Sequence, residues 1–178
     1  MLLGKALPSR KVREMSPFGD LPMIEAGSLR ISGDLPIYRF LGTLLGYTGT
    51  TPQEQAEVNM WVDTTADLTR EMWGADFMAA KEGGATDYTV AGKKTEFGIQ
   101  YLEPKLRLLS ARFEARAHPL YIVGDTLTLA DISLFSALEA IDREVPLALA
   151  SFPGLSEWRV RMEQRPRIAA LNDSGRRY

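Results

Sequence analysis

The stretch Tyr121-Ile-Val-Gly-Asp-Thr-Leu-Thr-Leu-Ala-Asp-Ile132 constrains this chain more than any other, because it fixes the start of a helix to one residue. Thr128 can accept from the amide three residues on while Asp131 reaches back to the amide of Thr128, the reciprocal arrangement of a capping box. Leu127 can pack on Ile132 as a hydrophobic staple, and the helix so begun is expected to run to about Glu144. The same period governs everything after residue 50. Pro52 opens a helical stretch reaching about Ala80, in which Val58, Trp61, Val62, Thr65, Leu68, Met72 and Phe77 recur at spacings of three and four and define one buried face. GGATDYTVAG interrupts it. A second long helix is expected from Lys93 to about Ala117, kinked at Pro104, whose missing donor and ring clash disturb the ladder. A last helix spans Pro153 to about Arg165 with Leu155, Trp158, Val160 and Met162, before a polar tail, NDSGRRY, that should fray.

Strands are confined to the beginning of the chain. Leu21 to Ala26 and Leu29 to Ser32 are short, partly β-branched runs separated by Gly27-Ser28, which reads as a hairpin. Asp34 then suits an N-cap and Pro36 falls in the tolerated first turn. Leu35, Ile37, Phe40, Leu41, Leu44 and Leu45 make an apolar stripe ending at Gly46. The polar connection Tyr47 to Thr51 marks a domain boundary, dividing the chain into residues 1–46 and 47–178.

Composition removes several chemistries. There is no cysteine among the 178 residues, so disulfides, thiolate metal sites and sulfur nucleophiles are absent and any thiol chemistry needs an external thiol. The single histidine, His118, lies before Pro119 in a polar connection, which argues for a surface histidine and against a zinc cluster or a Ser/His hydrolase. Lys and Arg (21) nearly balance Asp and Glu (23), which gives no reason to expect a nucleic acid or other polyphosphate partner. No stretch approaches the roughly 20 apolar residues of a membrane span, and MLLGKALPSRK lacks a secretory apolar run. Cytoplasm is the default expectation, with an organelle presequence left open.

Three stretches together resemble the glutathione transferases, the sigma class most closely. They are Ser16-Pro-Phe-Gly-Asp-Leu-Pro22, the run Ile37-Tyr-Arg-Phe-Leu41 with TPQEQAEVNMWVD after it, and YIVGDTLTLADIS; FPGLSEWRVRMEQRPRIAAL also resembles the family's closing helices. The resemblance implies a thioredoxin-like first half that carries glutathione, an all-α second half, a hydrophobic electrophile between them, and dimerisation. By this alignment Met1 falls near the end of the family's second strand. The implied fold class is α+β, mostly α: a truncated thioredoxin-like portion followed by the all-α C-terminal domain. The tyrosine, serine or cysteine that activates the glutathione thiol would lie outside the chain, so no catalytic residue is assigned. Tyr38 and Tyr47 cannot replace it, one lying on the helix after the hairpin and the other in the connection.

The implied glutathione site is uneven. Pro22 matches the family's cis-proline, and Leu21 before it would offer its main-chain NH and CO to the cysteinyl part of the ligand. Arg13 falls where sigma-like members hold the glycine carboxylate with a lysine; the alternative is a solvated charged run. Ser9 stands in place of a common tryptophan. Gly33 and Asp34 align with the Gln-Ser pair that grips the γ-glutamyl carboxylate, yet Gly33 has no side chain and an ionised Asp34 is acceptor-only. Asp34 as a plain helix cap explains it equally, and a shifted alignment would make Ile31-Ser32 the pair. Asp67 keeps the acidic residue that reaches across the dimer to the glutamyl amine. Met60, Trp61, Met72, Trp73 and Phe77 either line an electrophile pocket or belong to the core.

Three functions follow. The first is a degenerate, non-catalytic transferase acting as a structural or interaction subunit of a homodimer or larger assembly. The second is an active transferase whose catalytic segment is missing from this sequence. The third is non-catalytic binding of a small hydrophobic ligand between the halves. Glutathione is the one cofactor the resemblance implies.

Overall fold

The computed structural model describes residues 14–74, 98–118, 120–145 and 147–175. The chain divides into two compact units between Thr48 and Gly49.

In the first unit, strands β1 (Met23–Ala26) and β2 (Leu29–Ser32) form an antiparallel hairpin in which Ile24 faces Ile31 and Glu25 faces Arg30. The two-residue loop is opened by Gly27 at φ 63, a left-handed conformation open to glycine at no steric cost. β1 starts at Met23 rather than at Leu21, because Pro22 has no N–H to give a ladder. Helix α1 (Asp34–Leu45) packs on both strands and ends on Gly46 at φ 76, where the Tyr47 amide returns 2.7 Å to the Gly42 carbonyl. The expected apolar stripe of α1 is only partly buried. Ile37 is enclosed, while Leu41, Leu44 and Leu45 remain exposed. Two short strands present too little surface to cover more than one side of a helix.

The second unit is all-helical among the described residues: α2 (Pro52–Met72), a π-helical turn (Gly98–Leu102), α3 (Glu103–Glu114), α4 (Leu129–Glu144), a 3-10 turn (Ala148–Ser151), α5 (Pro153–Glu163) and α6 (Pro166–Asp173). Helix α2 opens on a further capping box, for which Thr51-Pro-Gln-Glu54 has the spacing. Glu54 Oε2 accepts from the Thr50 amide at 2.7 Å, the Thr50 hydroxyl at 2.6 Å and the Thr51 amide at 3.2 Å. These bonds, the Thr50 hydroxyl first, hold its carboxyl below the usual range. A depressed acid contributes stability above its unfolded pKa and loses it as pH falls through the folded one. Glu54→Gln should therefore lower the urea midpoint at pH 7, and the two midpoints should converge as pH falls through the folded pKa of Glu54.

Val58, Trp61, Val62, Thr65, Leu68 and Met72 form the buried face of α2, as their spacing predicts, and α4 is its most extensive partner. The helix stops at Met72 rather than near Ala80. Trp73 leaves helical geometry at φ −96, ψ 5, and the Gly74 amide tightens back to Glu71 at 3.0 Å. Phe77, the GGATDYTVAG segment and the expected start at Lys93 lie outside the described residues. Pro104 sits at the second position of α3, and because the π turn runs straight into α3 with Leu102 in helical geometry, the proline lies within a continuous helical run whose ladder widens just before it.

The loop from Ile122 to Thr128 is tied to α4 by Asp131, which has no exposed surface. Its Oδ1 accepts from the Ile122 amide at 2.9 Å, and its Oδ2 accepts from the Thr128 amide at 2.9 Å and the Thr128 hydroxyl at 3.1 Å. The expected closing helix is two: α5 ends at Glu163, and Pro166, which cannot continue a ladder, starts α6 through Asp173. Trp158 anchors α5, edge-on to Phe113 at 5.7 Å with its indole N–H on the Leu120 carbonyl. Arg159 bridges to Asp142 of α4 at 3.1 Å.

Candidate functional site

The anion end of the implied site lies at the start of α1. The N-cap is Gly33 rather than the expected Asp34, which is the first helical residue; Gly33 stands at φ 94, ψ 144, and its amide donates 2.9 Å to the Pro22 carbonyl. That one bond joins the Gly33-Asp34 pair to the Leu21–Pro22 turn, whose peptide is cis. Asp34 Oδ1 accepts from the Leu35 amide at 2.9 Å, so its carboxylate occupies the donor-rich helix N-terminus where an external carboxylate would dock. Leu21 is 54% exposed, and among the described residues neither of its main-chain groups is engaged.

The remaining expected residues fall outside the described residues or on the second unit. Arg13 and Ser9 lie outside the described residues. Asp67 is on α2 of the second unit, exposed and ion-paired with Arg70 at 2.5 Å. Met72 is fully buried and Trp73 half-exposed, whereas Met60 and Trp61 border a groove facing the π turn and α3. The expected aromatic and methionine set is thus split between core and surface.

Tyr101, on the π turn, is not suited to activate a thiol. That role needs a phenol whose ionised form is favoured. Burial, with the Glu71 and Asp67 carboxylates adding to it, instead pushes Tyr101 up to about 12. His118 is half-buried, stacks on Tyr121 with centroids 5.3 Å apart, and takes the Leu120 amide on Nδ1 at 3.1 Å. It borders a second, polar cavity of about 590 Å³ with Glu54, Glu57, Arg112 and Asp125. There Glu54 is committed to Thr50 and Thr51, and Glu57 to Arg112. No group of His, Asp and Glu fit to hold a metal occurs among the described residues.

A cis-proline turn leading into a hairpin and helix, followed by a helical unit pinned by a buried capping box, is the layout of a transferase with a thioredoxin-like front and an α-helical rear. The chain belongs to the glutathione S-transferase superfamily. Residues 76–175 match the model of the glutathione S-transferase C-terminal domain. Glutathione S-transferase P of Bos taurus is 34% identical over 154 residues, covering 86% of this chain and 69% of that protein. Glutathione S-transferase 1 of Ascaris suum is 27% identical over 158 residues, covering 88% and 74%. Among solved structures, the pi-class enzyme of Onchocerca volvulus superposes with a TM-score of 0.77 at 23% identity, over 92% of this chain and 74% of that one. A monomeric glutathione S-transferase of Necator americanus superposes at 0.74 and 22% identity, over 93% and 78%. No described helix is long and apolar enough to cross a membrane.

Proposed function

We propose that this glutathione transferase-like chain is degenerate and non-catalytic, and serves as a structural or interaction subunit of a dimer or larger assembly in the cytoplasm. Residues 1–46 act as its thioredoxin-like remnant and 47–178 as its helical domain. The observation that carries this reading is Asp34. Its carboxylate already sits on the Leu35 amide at the start of α1, so an incoming γ-glutamyl carboxylate meets like charge where the family supplies a hydroxyl donor. Gly33 beside it has no side chain to donate.

Support for an assembly comes from the first unit's own surface. Ile37 is its one large apolar side chain buried among the described residues, whereas Phe18 is 86% exposed and Leu21, Leu29, Leu41, Leu44 and Leu45 are exposed as well. Apolar surface at that density favours a covering partner.

The active-enzyme reading keeps two observations in its favour, the unengaged main chain of Leu21 beside cis-Pro22 and the retained acid Asp67. On that reading glutathione is the substrate, the second substrate is a hydrophobic electrophile, and the thiol activator is carried by a segment outside this sequence. One preparation separates the two. Calorimetric titration with glutathione is expected to give no binding below the millimolar range, a reactive aryl halide no turnover, and sedimentation velocity a dimer or larger species. Micromolar binding with turnover would overturn the non-catalytic reading, and a lone stable monomer the assembly.

A further inference from the structure

The polar cavity of about 590 Å³ in the second unit has walls of opposite charge. The start of α2 and the loop before α4 bring Glu54 and Asp125 to one wall, while the end of α3 and the residues after it bring Arg112, Arg116 and His118 to the other. The acidic wall is joined at Gly124, whose φ of 66 suits glycine and where a Cβ would stand 3.2 Å from Glu54 Oε1. The two walls meet where Glu57 of α2 pairs with Arg112. The volume falls within the roughly 300–1,000 Å³ typical of small-molecule sites.

Each wall keeps hydrogen-bonding capacity that the fold does not use. Glu54 takes its bonds from Thr50 and Thr51 on Oε2, which leaves Oε1 as an acceptor. Asp125 is exposed and makes no hydrogen bond or ion pair with a described residue. On the opposite side, Arg112 meets Glu57 through Nη2, so its other nitrogens remain donors among the described residues. His118 accepts the Leu120 amide on Nδ1, so its ring carries the hydrogen on Nε2 and offers a second donor. Arg116 lies over the Phe113 ring at 3.6 Å with Nη1 on the Phe113 carbonyl, and adds its charge to that wall. Glu57 and Arg112 cancel, and Glu54 and Asp125 outweigh Arg116 by one charge. The lining therefore suits a ligand with one net positive charge that also carries a carboxylate.

We propose that this cavity binds a basic α-amino acid, its carboxylate taking the His118 Nε2–H and the Arg112 guanidinium, and its two cationic groups taking Glu54 Oε1 and the Asp125 carboxylate. Glutathione, with two carboxylates and one ammonium, has the opposite net charge. The site is therefore independent of whether glutathione binds the first unit.

The full chain titrated with L-arginine at neutral pH should show one site per chain by calorimetry. His118 is the single histidine, so its imidazole gives one Cε1–H proton resonance, which should move to a plateau as L-arginine is added. Agmatine, which lacks the carboxylate, and Nα-acetyl-L-arginine, which lacks the α-ammonium, should each bind about tenfold more weakly, the loss of one charge-assisted hydrogen bond. Asp125→Asn and His118→Phe should each weaken L-arginine binding by a similar factor. No described residue uses the Asp125 carboxylate, so that variant and the imidazole shift decide the matter even if His118→Phe fails to fold. An unmoved imidazole resonance, unchanged affinity in Asp125→Asn, or agmatine binding as tightly as L-arginine would overturn the proposal. So would glutathione moving the same resonance at equal concentration, an outcome that assigns the cavity to glutathione instead.

Discussion

Asp131→Ala should destabilise the protein by roughly 3–5 kcal/mol, because it strips the acceptor from two buried amides and a buried hydroxyl at once. For a chain of this length each kcal/mol lowers the melting temperature by about 2–4 °C, so a drop on the order of 10 °C is expected in a thermal melt. Asp131→Asn should fall between, since its one carbonyl oxygen keeps an acceptor while its amide group faces donors. The carboxylate itself is an expensive way to satisfy these groups. Burial raises the pKa of Asp131 against the opposing pull of its hydrogen bonds from Thr128 and Ile122. A raised acid contributes stability below its unfolded pKa and loses it as pH rises through the folded value. Asp131 and Glu54 therefore act with opposite signs across the acid range. A melting temperature in Asp131→Ala within a degree or two of the parent would mean that relaxation or water replaces these bonds.

Asp34→Ser should raise glutathione affinity at least tenfold and up to several hundredfold. The substitution removes a repelling charge and supplies a hydroxyl donor at the start of α1, and a hydrogen bond to a charged group contributes roughly 1.5–3 kcal/mol before the relief of repulsion is added. The helix tolerates serine there, so a thermal melt should differ little from the parent. Calorimetric titration of both proteins reads the effect. Equal weakness in the two would detach Asp34 from glutathione recognition and leave it as a first-turn acid of α1 alone.

What the sequence made legible depended on how far apart the interacting residues lie. The Thr128 to Asp131 box is written within four residues, and the buried face of α2 within one helix, so both could be read from spacing. The Thr51 to Glu54 box is equally local, with Pro52 inside it at the helix start. The α1 stripe could not be read. Whether Leu41, Leu44 and Leu45 are covered depends on the surfaces opposite them, which no period within α1 encodes. The same limit applies to the Met and aromatic residues of α2: their spacing was plain, yet only the packing of neighbouring elements separates Met60 at the rim of a groove from Trp61 and Met72 in the core. Helix ends fared worst, at Met72 and at Glu163, where a single glycine or proline decides which carbonyl the last amides reach.

Gly33 ties the start of α1 to a backbone conformation that a larger residue would disturb. Its φ of 94 is a conformation that side-chain-bearing residues rarely adopt, and a Cβ added there would come within 3.3 Å of the Pro36 ring. Asp34 can revert by one substitution with the backbone unmoved, but a glutamine at position 33 would have to displace the helix start that now depends on glycine. On the reading proposed above, the two positions are unequal: the side chain at 34 can be exchanged on an unmoved backbone, whereas the one at 33 is held to glycine by the turn itself.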